Sequence, residues 1–216
     1  MYPKKLEPFL TSVEKPGRYI GGECNQVEKT LPIDVRFAFC FPDTYEIFAV
    51  AENREELVIS LMLRQFENVF TEEMREQTKA LGLSVHEVVT LASIVEKEAV
   101  VAHERPIIAG VFGNRLDIKM PLQSCATVNY ILGDFSIRDI SPYKDNPSSY
   151  NTYLYRGLPP GPIAAPGQAA LEAAVWPEKT DYLYFVAKDD GSGEHYFART
   201  LAEHQKNAAK ARENRK

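Results

Sequence analysis

The chain has 216 residues, of which 44% are hydrophobic and 25% charged, and its formal net charge is -5 at pH 7. That length allows a sizeable core in one domain or in a domain with an appendage, and the composition is that of a globular protein. The acidic balance offers no broad basic field, which argues against nucleic acid as a partner, and no run of about 18 apolar residues is present to span a membrane.

The start, Met1 to Pro8, lacks the apolar centre of a signal peptide, so the chain as written reads as soluble and untargeted. Cys24, Cys40 and Cys125 are odd in number and widely spaced; they suit neither a disulfide framework nor a metal-binding pair and read as free thiols. Residues 1–34 carry Pro3, Pro8, Pro16, Gly17, Gly21, Gly22 and Pro32 with little periodicity, which predicts loop. Val35 to Phe41 is a β-type run closed by Pro42-Asp43. From Glu52 to Phe70 the apolar positions Leu57, Leu61, Phe66 and Phe70 recur near the helical period, and Thr71 suits the N-cap of a charged helix running to Ala80.

Ser84 followed by Glu87 is a capping box, and it opens a helix that takes in Leu91 to Val100. On a helical wheel Val85, Val88, Leu91, Ala92, Val95 and Ala99 share one arc, with Glu96 and Glu98 between apolar spokes. Ser93, His86, Lys97 and Thr90 occupy the remaining, polar face. Apolar surroundings favour the protonated form of a carboxyl group, the form that general-acid chemistry needs. The pattern alone leaves open a rim glutamate, bonded to backbone or paired with an arginine.

Pro106 opens the next helix, Ile107 to Leu116. Met120 to Gln123 reads as a turn, and Ala126 to Leu132 as a short helix or strand. Asp134 to Asn151, rich in Ser, Pro, Asp, Asn and Tyr, reads as a long surface loop. Gly157 to Ile163 holds three prolines and reads as a stiff loop, ahead of an alanine-rich helix from Gln168 to Val175. Tyr182 to Ala187 and Glu194 to Phe197 form a hairpin, and the chain beyond Thr200 is a polar helix read as a solvated tail. Helices with one hairpin in mixed order predict an α+β fold.

His86, His103, His195 and His204 are scattered, and neither a zinc-protease, a nucleophile-elbow, a Walker nor a dinucleotide motif occurs. No metal and no cofactor is therefore expected. What remains is a carboxylate in apolar surroundings, followed by Tyr150, Asn151, Thr152, Tyr153 and Tyr155, whose flat faces and polar tips suit sugar rings.

From about Phe41 to the last helix the chain resembles the YceG-like family, the endolytic murein transglycosylases. The blocks that carry this are Phe41 to Glu46, Ala92 to Glu98, Ala109 to Leu116, Met120 to Ser124, Thr127 to Tyr130, Tyr150 to Tyr153, Gly157 to Ile163, Tyr182 to Ala187, His195 to Phe197, and His204. The resemblance implies a catalytic domain over residues 41–216, preceded by an atypical, loop-rich segment over 1–40 with one strand. It implies cleavage of the bond between N-acetylmuramic acid and N-acetylglucosamine in peptidoglycan glycan strands, without water. The muramic acid C6 hydroxyl attacks its own C1 and leaves a 1,6-anhydro end. By motif position the single acid and base falls on Glu98. Gln123, Ser124, Thr127, Tyr150, Asn151, Thr152, Tyr153 and Asn114 are the implied substrate-binding residues, with Glu96, Arg115 and His195 in support. The implied partners are glycan strands, with cell-wall synthases as candidate protein partners.

Two departures stand beside this. Family members usually carry Asp where this chain has Cys125, and they begin with an anchor in the cytoplasmic membrane, facing the wall, and a LysM-like subdomain that this sequence does not show. Residues 13–47 instead resemble the start of B12-binding radical-SAM proteins, without the cysteine cluster of an iron–sulfur centre. The alternative function is a peptidoglycan-binding or scaffold module without catalysis.

Overall fold

The computed structural model describes residues 39–46 and 54–214, and the chain divides into two compact units, Met1–Thr71 and Glu72–Lys216. In the first unit, α1 (Arg54–Val69) carries Phe66, whose ring stacks on Phe70 at 5.4 Å and meets Phe39 edge-on at 5.1 Å. Phe66 and Phe70 are buried as their spacing predicts, whereas Leu57 stays exposed. Phe39 to Phe41 are not in a strand; residues 35–38, the rest of that expected strand, and residues 1–34 lie outside the described residues.

In the second unit α2 (Glu72–Ala80) leads to α3 (Val85–Glu98), the axis of the core. The capping box forms as expected: the Ser84 hydroxyl accepts from the Glu87 N–H, and the Glu87 carboxylate accepts from the Ser84 N–H. From Val88 to Val95 every residue of α3 is buried, because α2, α4 (Arg105–Asp117), α5 (Cys125–Leu132) and α6 (Gln168–Val175) all pack against it. This corrects the polar face drawn on the wheel. Thr90 and Ser93 are fully buried, their hydroxyls satisfied by the carbonyls of His86 and Thr90. The Ser93 hydroxyl also accepts from the Ile163 N–H at 2.9 Å, which pins the proline-rich loop to the helix. Lys97 does face solvent.

The alanines of α6 let it lie close to α3 and α4. In α4 the absence of a side chain at Gly110 is required: a Cβ there would sit 2.3 Å from the carbonyl oxygen of Glu178. Beyond α6, β1 (Tyr184–Ala187) and β2 (His195–Ala198) pair antiparallel, with Tyr184 opposite Ala198 and Ala187 opposite His195. The last helix, α7 (Leu201–Asn214), is not a solvated tail. It packs on both strands, buries Ala211, stacks His204 on Tyr184 at 5.4 Å, and ties Asn207 to the Phe197 carbonyl. Among the described residues the architecture is α+β: the second unit gathers helices around α3 and carries a small antiparallel hairpin. Among the described residues no single helix is long and apolar enough to cross a membrane.

Candidate active site

Glu98 is the last residue of α3, and the chain turns to extended backbone at Ala99 directly after it. Its carboxylate is half-buried and meets the start of α5. Oε1 accepts from the Ser124 hydroxyl at 2.5 Å and from the Ala126 N–H at 3.4 Å. Ser124 is the N-cap residue of α5 but its side chain makes no cap bond of its own, so the glutamate oxygen takes that place. Oε2 makes no hydrogen bond among the described residues.

The residue whose hydroxyl holds Glu98 is itself held, through its backbone, by two threonines. Ser124 is 2% exposed; its N–H donates to the Thr152 hydroxyl, which lies 2.9 Å from the Thr127 hydroxyl, and Thr127 donates to the Ser124 carbonyl. Next to it Gln123 adopts φ 50°, a left-handed conformation uncommon for a residue with a side chain, and its N–H donates to the Thr152 carbonyl. The turn carrying Thr152 is fixed by Asn151, fully buried, whose amide donates to the carbonyls of Lys144 and Asn146.

Glu98, Gln123, Cys125, Lys144 and Tyr153 form one side of a cavity of about 490 Å³ that Arg115, Tyr184 to Ala187, His195, Leu201 and His204 close, with Leu122. Among the described residues Glu98 is the only carboxylate lining it. The Cys125 thiol lies 3.2 Å from the Tyr153 hydroxyl; surrounding protein raises both groups above their ordinary values, so both stay protonated near neutral pH. His195 is clamped by Glu104, whose two oxygens accept from its Nδ1 at 2.7 Å and from its backbone N–H at 2.9 Å, with both residues buried. This orientation makes Nε2 the nitrogen left for the cavity. Burial, then the charge of Arg115, lowers the pKa of His204.

Of the residues implied to bind substrate, Gln123 and Tyr153 line the cavity, and Ser124 touches Glu98. Thr127, Asn151 and Thr152 lie beneath the surface as the frame of that wall. Tyr150 packs against Tyr130, the rings tilted by 42° with centroids 4.9 Å apart, and is not part of the lining. Asn114 donates to the carbonyls of Thr180 and Tyr182, which positions the strand entry instead of the cavity. Glu96 points elsewhere, its Oε2 accepting from the Gly167 N–H at the start of α6. Arg115 and His195 are both in the lining. Sequence reasoning did not reach Lys144, Tyr184, Leu201, His204 or the role of Glu104. Of these, Tyr184 and His204 carried a signal, through their places in the matching blocks.

The comparisons with known proteins agree with one another. The YceG-like family matches residues 13–210, which takes in the whole of residues 13–47. An endolytic murein transglycosylase of Bacillus subtilis is 44% identical over 168 residues, covering 78% of this chain and 46% of that protein. One of Streptococcus pneumoniae is 35% identical over 176 residues, covering 79% of this chain and 31% of that protein. The crystal structure of a yceG-like protein from Listeria monocytogenes superposes with a TM-score of 0.72 at 40% identity, over 78% of this chain and 54% of that one. This chain thus spans less than half the length of the curated relatives it matches. With a family match that runs through nearly the whole sequence and a neighbour of the same fold, the chain belongs to the YceG-like family.

Proposed function

We propose that this chain carries the catalytic core of a lytic transglycosylase that cleaves peptidoglycan glycan strands between N-acetylmuramic acid and N-acetylglucosamine, with Glu98 as its single acid and base. The observation that carries the reading is Glu98, the one carboxylate that the described residues place in the cavity lining. Ordinary glycosidases place two carboxyl groups about the scissile bond, the second serving as nucleophile or as the base for water. A site with one suits a substrate that brings its own nucleophile. Glu98 protonates the glycosidic oxygen as the bond to C1 breaks, and its carboxylate then takes the proton from the C6 hydroxyl as O6 bonds to C1. The proton returns to Glu98, and no water is consumed. The geometry fits these two roles: Oε1 is held by Ser124 and the Ala126 N–H, while Oε2 is left to exchange the proton. The N–H groups at the start of α5 and the Ser124 hydroxyl support the carboxylate formed midway.

The names of the two bacterial relatives, endolytic murein transglycosylase, support the substrate and reaction class. The test is digestion of purified sacculi by the unaltered chain and by Glu98→Gln. Soluble muropeptides with 1,6-anhydro ends are expected from the first. The amide should lower the rate by about a hundredfold to ten-thousandfold, the usual loss when a general acid is removed. Binding to sacculi with no product from either protein would instead identify a glycan-binding module.

A further inference from the structure

One charged group in the cavity has no role in the reaction as proposed. Arg115 is 6% exposed, yet no carboxylate lies within salt-bridge range of it among the described residues. Its partners are carbonyls: Nε donates to Leu183 at 2.6 Å, and Nη1 to Pro121 at 3.2 Å and Leu122 at 2.7 Å. The guanidinium stands 5.2 Å from the centre of the Tyr184 ring. Nη2 makes no hydrogen bond among the described residues and is not sealed from solvent. A buried cation is costly, and three neutral carbonyls orient its charge without cancelling it; the Glu98 carboxylate in the same lining offsets it only from beyond salt-bridge range. The carbonyls hold Nε and Nη1, so Nη2 alone is left to donate to the cavity, where its charged N–H can meet one carboxylate oxygen. Lys144 adds a second, exposed cation to the same lining, against the single carboxylate of Glu98, in a chain that is acidic as a whole.

We propose that Arg115 is the anion-recognising group of this cavity, donating from Nη2 to a carboxylate carried by the muramyl unit of the strand. The inference rests on the reading of the cavity as a glycan site and adds a specificity to it. Strands with a free carboxylate at that point bind better than strands where it is neutral. Two sources carry such a carboxylate: the lactyl group of peptide-free muramic acid, and the stem peptide where one is attached.

Binding of four strand preparations to the Glu98→Gln chain tests this without altering Arg115. They are peptide-free strands with free or amidated lactyl groups, and peptide-bearing strands with free or amidated stem carboxylates. The free-acid member of one pair should bind about tenfold to a hundredfold more tightly, the worth of a hydrogen bond to a charged group. The pair that shows the gap names the source. Equal binding within both pairs overturns the inference, as does disappearance of the gap in a Glu98→Gln, Lys144→Ala chain, which would reassign it to Lys144. Cleavage of the same strands by the unaltered chain is scored separately. A binding gap without cleavage sinks the lytic reading and leaves Arg115 as the anion reader, whereas cleavage without a gap does the reverse.

Discussion

At the scale of single residues, Glu98 depends on a hydroxyl that does no chemistry. Ser124 holds Oε1, and Thr152 and Thr127 hold Ser124, so the carboxylate is oriented by buried groups that are themselves hydrogen-bonded. Ser124→Ala should therefore lower kcat about tenfold with little change in KM, since the lost bond supports the carboxylate that forms during the reaction. Steady-state rates on soluble strands check it, and an unchanged kcat would show that the Ala126 N–H suffices. Cys125 offers a second handle because it opens onto the cavity beside Tyr153. A thiol-directed alkylating reagent should block activity, and Cys125→Ser should resist it. Because burial raises the thiol above its ordinary 9.0, the inactivation rate should keep climbing with pH beyond that value. The same residues mark what could be read from sequence. Asn151, Thr152 and Thr127 look like ligand-binding groups on a polar loop, yet their polar atoms hold the turn together. Residue type was legible; the direction of each side chain was not, because it depends on which carbonyls the folded loop brings near.

At the scale of elements, the short signals were the most legible. The capping box at Ser84, the helix from Gln168 to Val175 and the hairpin all form where local pattern placed them. Their cause is local, in caps, period and turn residues. The faces of α3 were misjudged because a wheel assumes one wet side, and four other helices enclose this one. Glu87 gives the capping box a pH dependence. Its bonds to the Ser84 N–H and hydroxyl hold its pKa below the ordinary 4.5. A group whose pKa is lower in the folded state stabilises above its unfolded value, and that stability is lost as pH falls through the folded one. Ser84→Ala should cost about 1 kcal/mol of stability near neutral pH. The deficit should shrink in acid, as pH falls below the ordinary 4.5 and on through the lowered folded value, where Glu87 takes up its proton and attracts the box less. Urea unfolding at both pH values measures it; a deficit that grows in acid would contradict the assignment.

At the scale of the whole molecule, the cavity gathers residues from the end of α3, the middle of the chain, the hairpin and α7. That assembly explains why, of the lining, only Glu98, Arg115, Gln123, Tyr153 and His195 were anticipated as site residues. The family blocks mark His195 and His204, but nothing local says that a polar C-terminal helix folds back on the strands to complete a wall. What a lone carboxylate in such a cavity does is the central claim, and the fate of water decides it. Digestion of sacculi in water enriched in heavy oxygen, followed by mass spectrometry of the products, distinguishes the routes directly. Muramyl ends that are anhydro and carry no label are the predicted result, because O6 of the sugar replaces water at C1. Reducing muramyl ends carrying the heavy oxygen would contradict it.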